Sequence, residues 1–224
     1  MNRIIFVLFI MLFASCSFLG FNKNPEDISD WITLPDSGTV YSYYGNNRYY
    51  DDDAFMYYES ITLLEDSFYK ILDETLYINF DTIPCRSAIA IRSYETYHET
   101  TKIAKGSFLY KIIVDTMFNR ILYFAASDES SFGLWDFEIR CPIEENNIWM
   151  QRNNVWSRIT DTDTSKEILA GKFNDVLAID FLYDAVKVGE IYYSCELGVP
   201  IYQIIDSFET RVAQEIELRE IRHQ

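Results

Sequence analysis

The stretch "DTDTSKEILAGK", residues 161–172, opens like a calcium-binding loop. Asp161, Asp163 and Ser165 stand at alternating positions, the spacing that aims three oxygen ligands at one ion. Such a loop needs Gly at its sixth position and a bidentate Glu at its twelfth, and here these are Lys166 and Lys172. Two ammonium groups would face the cation, so a solvated turn capped by its Asp side chains is expected instead. Asp51, Asp52 and Asp53 follow one another, and three adjacent carboxylates on an extended chain cannot point one way. An exposed loop is expected there. His98 and His223 are the only histidines, and neither has a Cys, His or carboxylate at metal-ligand spacing. No G-x-S-x-G, H-E-x-x-H or P-loop sequence occurs. The chain is therefore expected to have no catalytic residues, no metal and no cofactor.

Cysteine chemistry begins at the N-terminus. Residues 1–16 combine a short basic start, an apolar run from Ile4 to Ala14, and Ser15-Cys16, which is the layout of a secretory signal. "LFASC" resembles the lipobox of bacterial lipoproteins, an apolar residue and two small residues before an invariant Cys. On that resemblance cleavage falls between Ser15 and Cys16, and Cys16 becomes the acylated, palmitate-bearing first residue of the mature chain. Phe13 stands where the family usually has Leu, with Leu12 one step further out. Two rival readings remain. Ile4 to Phe21 carries no charge, which just reaches the length of a membrane span, although Ser15, Cys16, Ser17 and Gly20 dilute its second half. Plain cleavage after a small residue would release a free protein. All three readings place the body outside the cytoplasm, and the lipoprotein reading ties it to the outer or cytoplasmic membrane of the bacterial envelope. Stable anchoring needs more than one hydrophobic chain, which the triacylated Cys of mature bacterial lipoproteins would supply.

With Cys16 assigned to lipid, Cys85, Cys141 and Cys195 form an odd set in an oxidising compartment. One disulfide plus one thiol, or three buried thiols, would fit. The pairing carried forward is Cys85–Cys141, with Cys195 buried in its strand.

The 224-residue chain has a formal net charge of −16, and loss of residues 1–15 removes Arg3 to leave 18 basic against 35 acidic side chains, net −17. Such a surface repels phosphate backbones and anionic headgroups, so nucleic acid is excluded as an expected partner. Aromatic residues make up 17%, with 17 Tyr and 16 Phe, and their flat side chains favour a pleated, half-buried surface. Tyr41, Tyr43, Tyr44, Tyr49, Tyr50, Tyr57 and Tyr58 crowd into 18 residues. Adjacent Tyr on a strand send one ring to each face, so part of this cluster must meet solvent. The first five are the candidate binding surface, because exposed Tyr offers rigid contact area with a polar tip, suited to a glycan or protein partner. Tyr as a plain strand former competes with that reading.

Strand signals dominate the body. "FETRVAQEIELREIR" alternates Val212, Ile216 and Leu218 against Glu215, Glu217 and Arg219, with Gln214 interrupting the apolar row. "LYKIIVD" and "RILYFAA" flank a turn at residues 116–119, and "DVLAIDFLYD" and "EIYYSCEL" flank residues 185–189. Gly45-Asn46-Asn47 reads as a further turn between Tyr-rich arms. The best helical candidate is residues 53–72, although its aromatic and β-branched content suits a strand as well. Gly171 and Gly198 are placed at strand entries or turns, and Trp135, Trp149 and Trp156 in the core.

"LPDSGTVYSYY", "AGKFNDVLAID", "IYYSCELGVPIYQI" and "FETRVAQEIELREI" together resemble uncharacterised β-rich bacterial envelope lipoproteins. In those proteins a Pro-Gly-aromatic strand opens the body, and a small-Gly-x-Phe strand, a Tyr-Tyr strand and a long final strand close it. The "SCELG" turn departs from their small residues before Gly. The resemblance covers both ends of the domain and leaves residues 60–155 without support. It implies a mainly β fold, a large antiparallel sheet curled into a half-barrel or sandwich with at most one or two short helices. The expected organisation is a signal peptide over 1–15, a lipid-attachment site and tether over 16–29, and one β-rich domain over 30–224. The expected function is a membrane-anchored, non-catalytic binding or envelope-structural module. The alternative is a half-barrel carrier of lipid or another apolar ligand, which needs an unfilled apolar groove.

Overall fold

The computed structural model describes residues 27–51, 56–78, 81–126, 137–151, 154–207 and 212–224. One short helix, α1 (Ile28–Trp31), precedes twelve strands: β1 (Thr39–Asp51), β2 (Met56–Ile78), β3 (Asp81–His98), β4 (Thr101–Asp115), β5 (Arg120–Ala126), β6 (Phe137–Arg140), β7 (Ile148–Met150), β8 (Val155–Ile168), β9 (Gly171–Tyr183), β10 (Val186–Ser194), β11 (Val199–Ser207) and β12 (Val212–His223). Their order in the single sheet is β6-β5-β4-β3-β2-β1-β12-β11-β10-β9-β8-β7, and every ladder is antiparallel. All neighbours are consecutive in sequence except β1 and β12, where Thr39 lies opposite His223 and Tyr49 opposite Val212.

That order forces the sheet to curl. The strands β6 and β7 are consecutive in the chain but occupy opposite edges. A flat twelve-stranded sheet would hold them about 53 Å apart, whereas the link from Arg140 to Ile148 reaches about 28 Å at full stretch. Bulges that raise local twist interrupt the ladders at Ser42/Tyr43, Phe68/Lys70, Thr96/Tyr97 and Tyr192/Tyr193. The result is a nearly closed, barrel-like sheet.

Side chains close the seam between β6 and β7. Gln151, one residue beyond β7, uses its amide as a strand would use its backbone. Its Oε1 accepts from the Glu138 N–H at 3.0 Å, and its Nε2 donates to the Glu138 carbonyl at 2.6 Å. Trp149 Nε1 donates to the same carbonyl at 3.1 Å, and Gln151 Nε2 also reaches Ser157 Oγ at 2.8 Å. The Glu138 side chain, fully buried, pairs with Arg140 at 2.7 Å and faces Arg120 at 3.6 Å.

Inside the barrel, rings from both halves of the sheet meet. Phe137 of β6 packs against Tyr123 of β5 at 5.4 Å and against Phe181 of β9 at 5.6 Å, and Tyr123 also meets Tyr193 of β10 at 6.1 Å. Tyr123 and Tyr193 are 1% and 0% exposed, so this part of the lumen is solid. α1 plugs the same core: Ile28 is wholly buried, and its N–H donates to Asn119 Oδ1 at the β4–β5 turn. The segment after it crosses to the β10–β11 turn, where Thr33 N–H donates to the Cys195 carbonyl. Gly198 is obligatory there, because φ is +68° and a Cβ would lie 1.9 Å from the Thr33 oxygen.

The inner face changes character along its length. Beyond the ring cluster, Arg92 holds Asp66 through two bonds of 2.6 Å while its guanidinium lies 3.7 Å from the Tyr110 ring centre. Burial opposes the Arg92 charge, and the Asp66 carboxylate outweighs it and holds the pKa above its ordinary value. Further out, Gln214 donates to Asn47 Oδ1, Asn47 donates to Thr62 Oγ1, and Thr62 meets Thr96. Gln214, the residue that broke the apolar row of β12, is therefore paired within a polar ladder.

The hairpins β4–β5 and β9–β10 stand where expected, turning through Asn119 at φ 55° and through Asp184 and Ala185 at φ 48° and 64°. Several expectations are corrected. Gly45-Asn46-Asn47 lies inside β1, because the Asn47 side chain finds inward partners and needs no turn. Residues 56–72 of the helical candidate belong to β2, paired on both sides. Asp161 to Ile168 is strand rather than turn, although Asp161 Oδ1 does cap the Asp163 N–H. Trp149 is in the core, Trp156 is 44% exposed, and Trp135 lies outside the described residues. Ile28, within the stretch expected as a tether, is wholly buried.

The Cys85–Cys141 pairing is also overturned, since all three described cysteines are free. The row Cys85, Asp115, Arg120, Arg140 runs across three ladders, about 14 Å, and a disulfide needs Cα atoms within about 7 Å. Cys195 sits in the β10–β11 turn, one residue past its strand. Burial pushes the Cys85 thiol up to about 12 and the Cys195 thiol up to about 11, from 9.0, and it pushes Tyr41 up to about 12 from 10.0.

Two outcomes follow from this architecture. Gln151→Ala should lower unfolding free energy by about 1–3 kcal/mol in urea titrations, because the Glu138 peptide group loses its seam partners. The three raised pKa values mean that folding favours the neutral thiols and phenol. Their contribution is complete below pH 9 and should drain away between pH 9 and 12, so urea midpoints should fall across that window in step with Cys85, Cys195 and Tyr41 ionisation.

Candidate functional site

The outer face of β1–β4 carries the site. Alternation along β1 sends Tyr41 and Tyr43 into the core, 3% and 6% exposed, and Ser42 and Tyr44 outward. Cross-strand register then builds two outward rows. One runs Glu220, Ser42, Glu65, Ser93, Ser107, and the next runs Tyr44, Leu63, Glu95, Lys105. Both rows line a surface groove of about 710 Å³, apart from Tyr44, which continues the second row at its edge; Arg219 completes the rim. Its floor is short hydroxyl side chains and its walls are charged.

The inward row between them contributes to the groove lining as well. Tyr43, Leu64, Tyr94 and Gly106 stand opposite one another on successive strands. The Tyr94 ring lies across Gly106, where a Cβ would sit 2.7 Å from the phenol oxygen, and the ring tilts toward Phe108 at 6.5 Å. Glycine here lets an aromatic ring cover the backbone of β4.

Fixed charge pairs set the electrostatics. Arg222 bonds to Glu65 and also donates to Ser42 Oγ at 3.1 Å. Lys102 holds Glu95 at 2.6 Å, and Tyr97 donates to the same carboxylate. The Lys102 hydrogen bond, then that of Tyr97, holds the Glu95 pKa below its ordinary value. A general acid needs the opposite shift. Glu95 is therefore held as a hydrogen-bond acceptor in the row beside the serine hydroxyls.

The sequence-derived candidates fare unevenly. Tyr41 and Tyr43 are corrected from surface to core: the Tyr41 hydroxyl donates to the Leu197 carbonyl, and its ring meets Phe68 edge-on at 5.8 Å. Tyr43 still contributes to the groove lining, and Tyr44 lies beside it, opposite Leu63. Tyr49 and Tyr50 continue β1, and their side chains lie outside the described residues, as do Ser15 and Cys16 entirely. The serine row leaves no trace in the sequence, because Ser42, Ser93 and Ser107 come into one row only through register. Among the described residues no three His, Cys, Asp or Glu side chains gather as a metal site, and no helix is long and apolar enough to cross a membrane. The two histidines bond locally, His98 to the Glu59 carbonyl and His223 to Thr39.

No protein-family model matches the chain, and no curated protein matches it. Three solved structures overlay loosely. A candidate exported protein with a YmcC-like fold from Bacteroides fragilis is 8% identical, with 86% of this chain and 99% of that chain covered at a TM-score of 0.40. A candidate lipoprotein from Parabacteroides distasonis is 12% identical, covering 84% and 97% at a TM-score of 0.38. A candidate outer-membrane lipoprotein-sorting domain from Vibrio parahaemolyticus is 11% identical, covering 84% and 86% at a TM-score of 0.22. Overlays this loose assign neither family nor activity.

Proposed function

We propose that the chain is a lipid-anchored bacterial envelope protein whose body binds a hydroxyl-rich ligand, a glycan, in the outer groove of β1–β4 without catalysis. The anchor reading rests on the basic start, the apolar run and Ala14-Ser15-Cys16. The binding reading rests on one observation, the paired rows Ser42, Glu65, Ser93, Ser107 and Leu63, Glu95, Lys105 along a groove of about 710 Å³. Glycans are recognised by convergent hydrogen bonds with an aromatic or aliphatic flank, and Leu63 with Tyr44 at the edge supplies the flank. The glutamates are engaged with Arg222 and Lys102, which favours binding over general acid–base work. The carrier alternative is disfavoured by the ring cluster of Tyr123, Phe137, Phe181 and Tyr193, which fills the lumen where an apolar cargo would sit.

The anchor is tested by the intact mass of the membrane-extracted protein. A mass equal to the chain from Cys16 plus three acyl chains is expected, and Cys16→Ala should leave the precursor unprocessed. An unmodified mass starting at Met1 or Ser17 would contradict the anchor. The groove is tested by Ser93→Trp, which fills its floor. Binding to envelope glycans on an array should fall at least tenfold while the far-UV spectrum is unchanged. Equal binding by both proteins would remove the groove from the account.

A further inference from the structure

A second site lies on the opposite half of the sheet, under the tip of the β8–β9 hairpin. In the sheet order β8 is separated from β12 by β9, β10 and β11, about 19 Å across the surface. The hairpin tip nevertheless touches β12. The Leu169 N–H donates to Glu217 Oε1 at 2.6 Å, and the Ala170 N–H donates to the Leu218 carbonyl at 3.1 Å. The distal half of the hairpin has therefore left the plane of its own ladder and lies over β10 and β11. Three register shifts between Ile159 and Lys166 mark the bend.

Beneath that strap, Tyr192 of β10 and Tyr202 of β11 face each other edge-on at 5.8 Å. The Lys166 ammonium stands 4.0 Å from one ring centre and 3.8 Å from the other. Carboxylate charge surrounds the pair. Tyr202 donates its hydroxyl to Glu215 at 2.8 Å, and burial, then Glu215, Glu190 and Glu217, raises its pKa. Lys187 pairs with Glu190 and Asp180, and Arg158 also pairs with Asp180; Glu215 and Glu217 add carboxylate charge beside Tyr202. Two aromatic faces at about 4 Å with anionic charge behind them are how proteins recognise ammonium groups.

We propose that Tyr192, Tyr202 and Glu215 form a binding site for an alkylammonium group, such as a lysine side chain of a partner, and that the chain fills it with its own Lys166. The strap then acts as a tethered competitor. A ring contact of this kind is worth about fivefold to thirtyfold in binding. Because the tether holds Lys166 beside the rings at high local concentration, an external ammonium meets the site at full strength only when Lys166 is removed or the hairpin lifts. The proposal is independent of the glycan groove: both touch β12, but the groove uses Arg219 and Glu220 whereas the ammonium site uses Glu215.

The test uses the full chain in non-ionic detergent and n-butylammonium as the probe, with n-butanol as its uncharged counterpart. Tyrosine ring NMR signals report occupancy. Lys166→Ala should bind butylammonium at least tenfold more tightly than the wild type and should ignore butanol. Lys166→Arg, which keeps a cation over the rings, should behave like the wild type. Adding Tyr202→Leu to Lys166→Ala should abolish binding. Equal affinity in wild type and Lys166→Ala, no saturable binding by Lys166→Ala, or binding that survives Tyr202→Leu would each overturn the proposal. If Lys166→Ala does not fold, the wild type decides: butylammonium but not butanol should accelerate amide exchange at Leu169 and Ala170, and unchanged exchange would overturn it.

Discussion

The ladder between β1 and β12 organises everything else in the molecule, because it is the one pairing in which strands far apart in the chain lie side by side. Each remaining strand joins the sheet beside its predecessor, so the meander grows outward in two directions from that central pair. Growth in two directions leaves β6 and β7 at the far edges, yet they are linked by a connection far shorter than the width of a flat sheet. Curling is then obligatory. Closure brings Phe137 and Tyr123 from one edge against Phe181 and Tyr193 from the other half, and burial of these rings supplies the core that an open sheet of this size would lack. Edge strands carry unpaired backbone groups that invite aggregation. The amide of Gln151 occupies the Glu138 peptide group and blunts that hazard at the seam.

The ring cluster fills its part of the lumen, and both proposed sites lie outside it. The inner face passes from rings, through the Asp66–Arg92 pair, to the Gln214–Asn47–Thr62–Thr96 ladder, whose members bond to one another. The outer face differs between the two halves of the sheet. Strands β3–β6 bury their outer side chains as well, Ile89, Ile113, Leu122 and Phe124 among them. Strands β1, β2 and the distal parts of β3 and β4 instead carry serines and paired charges in rows that form the groove. Strands β10–β12 carry two tyrosines that hold a lysine from a folded-over hairpin. Both sites arise from alternation plus register, with no loop dedicated to either.

Local chemistry was legible in the sequence, and long-range geometry was not. The mainly β fold followed from aromatic and β-branched content, and two hairpins followed from their flanking strands, one with Asn119 at its turn. Gly45-Asn46-Asn47 reads as a turn because Gly and Asn tolerate positive φ, whereas the structure keeps it extended, with Asn47 2% exposed and bonded inside. The continuous run Val176 to Phe181 did not alternate because β9 is covered on both faces. Tyr41 and Tyr43 could not be told from Tyr44 until the core face was known. No spacing in the chain shows that two strands intervene between Cys85 and Cys141. The serine rows, the Gln151 seam and the Lys166 contact depend on which strands become neighbours and on a hairpin that folds across the sheet. Neither leaves a periodic trace in the chain.

Closure of the sheet is the claim on which the filled lumen and the outward-facing sites both rest, and amide hydrogen exchange at Glu138 measures it most directly. In an open sheet β6 is an edge strand and this N–H faces water. In the closed sheet it is donated to Gln151 Oε1 at 3.0 Å within a buried seam. The account predicts exchange at Glu138 slowed to the level of the central β1–β12 amides. Exchange as fast as that of an exposed loop amide would contradict it.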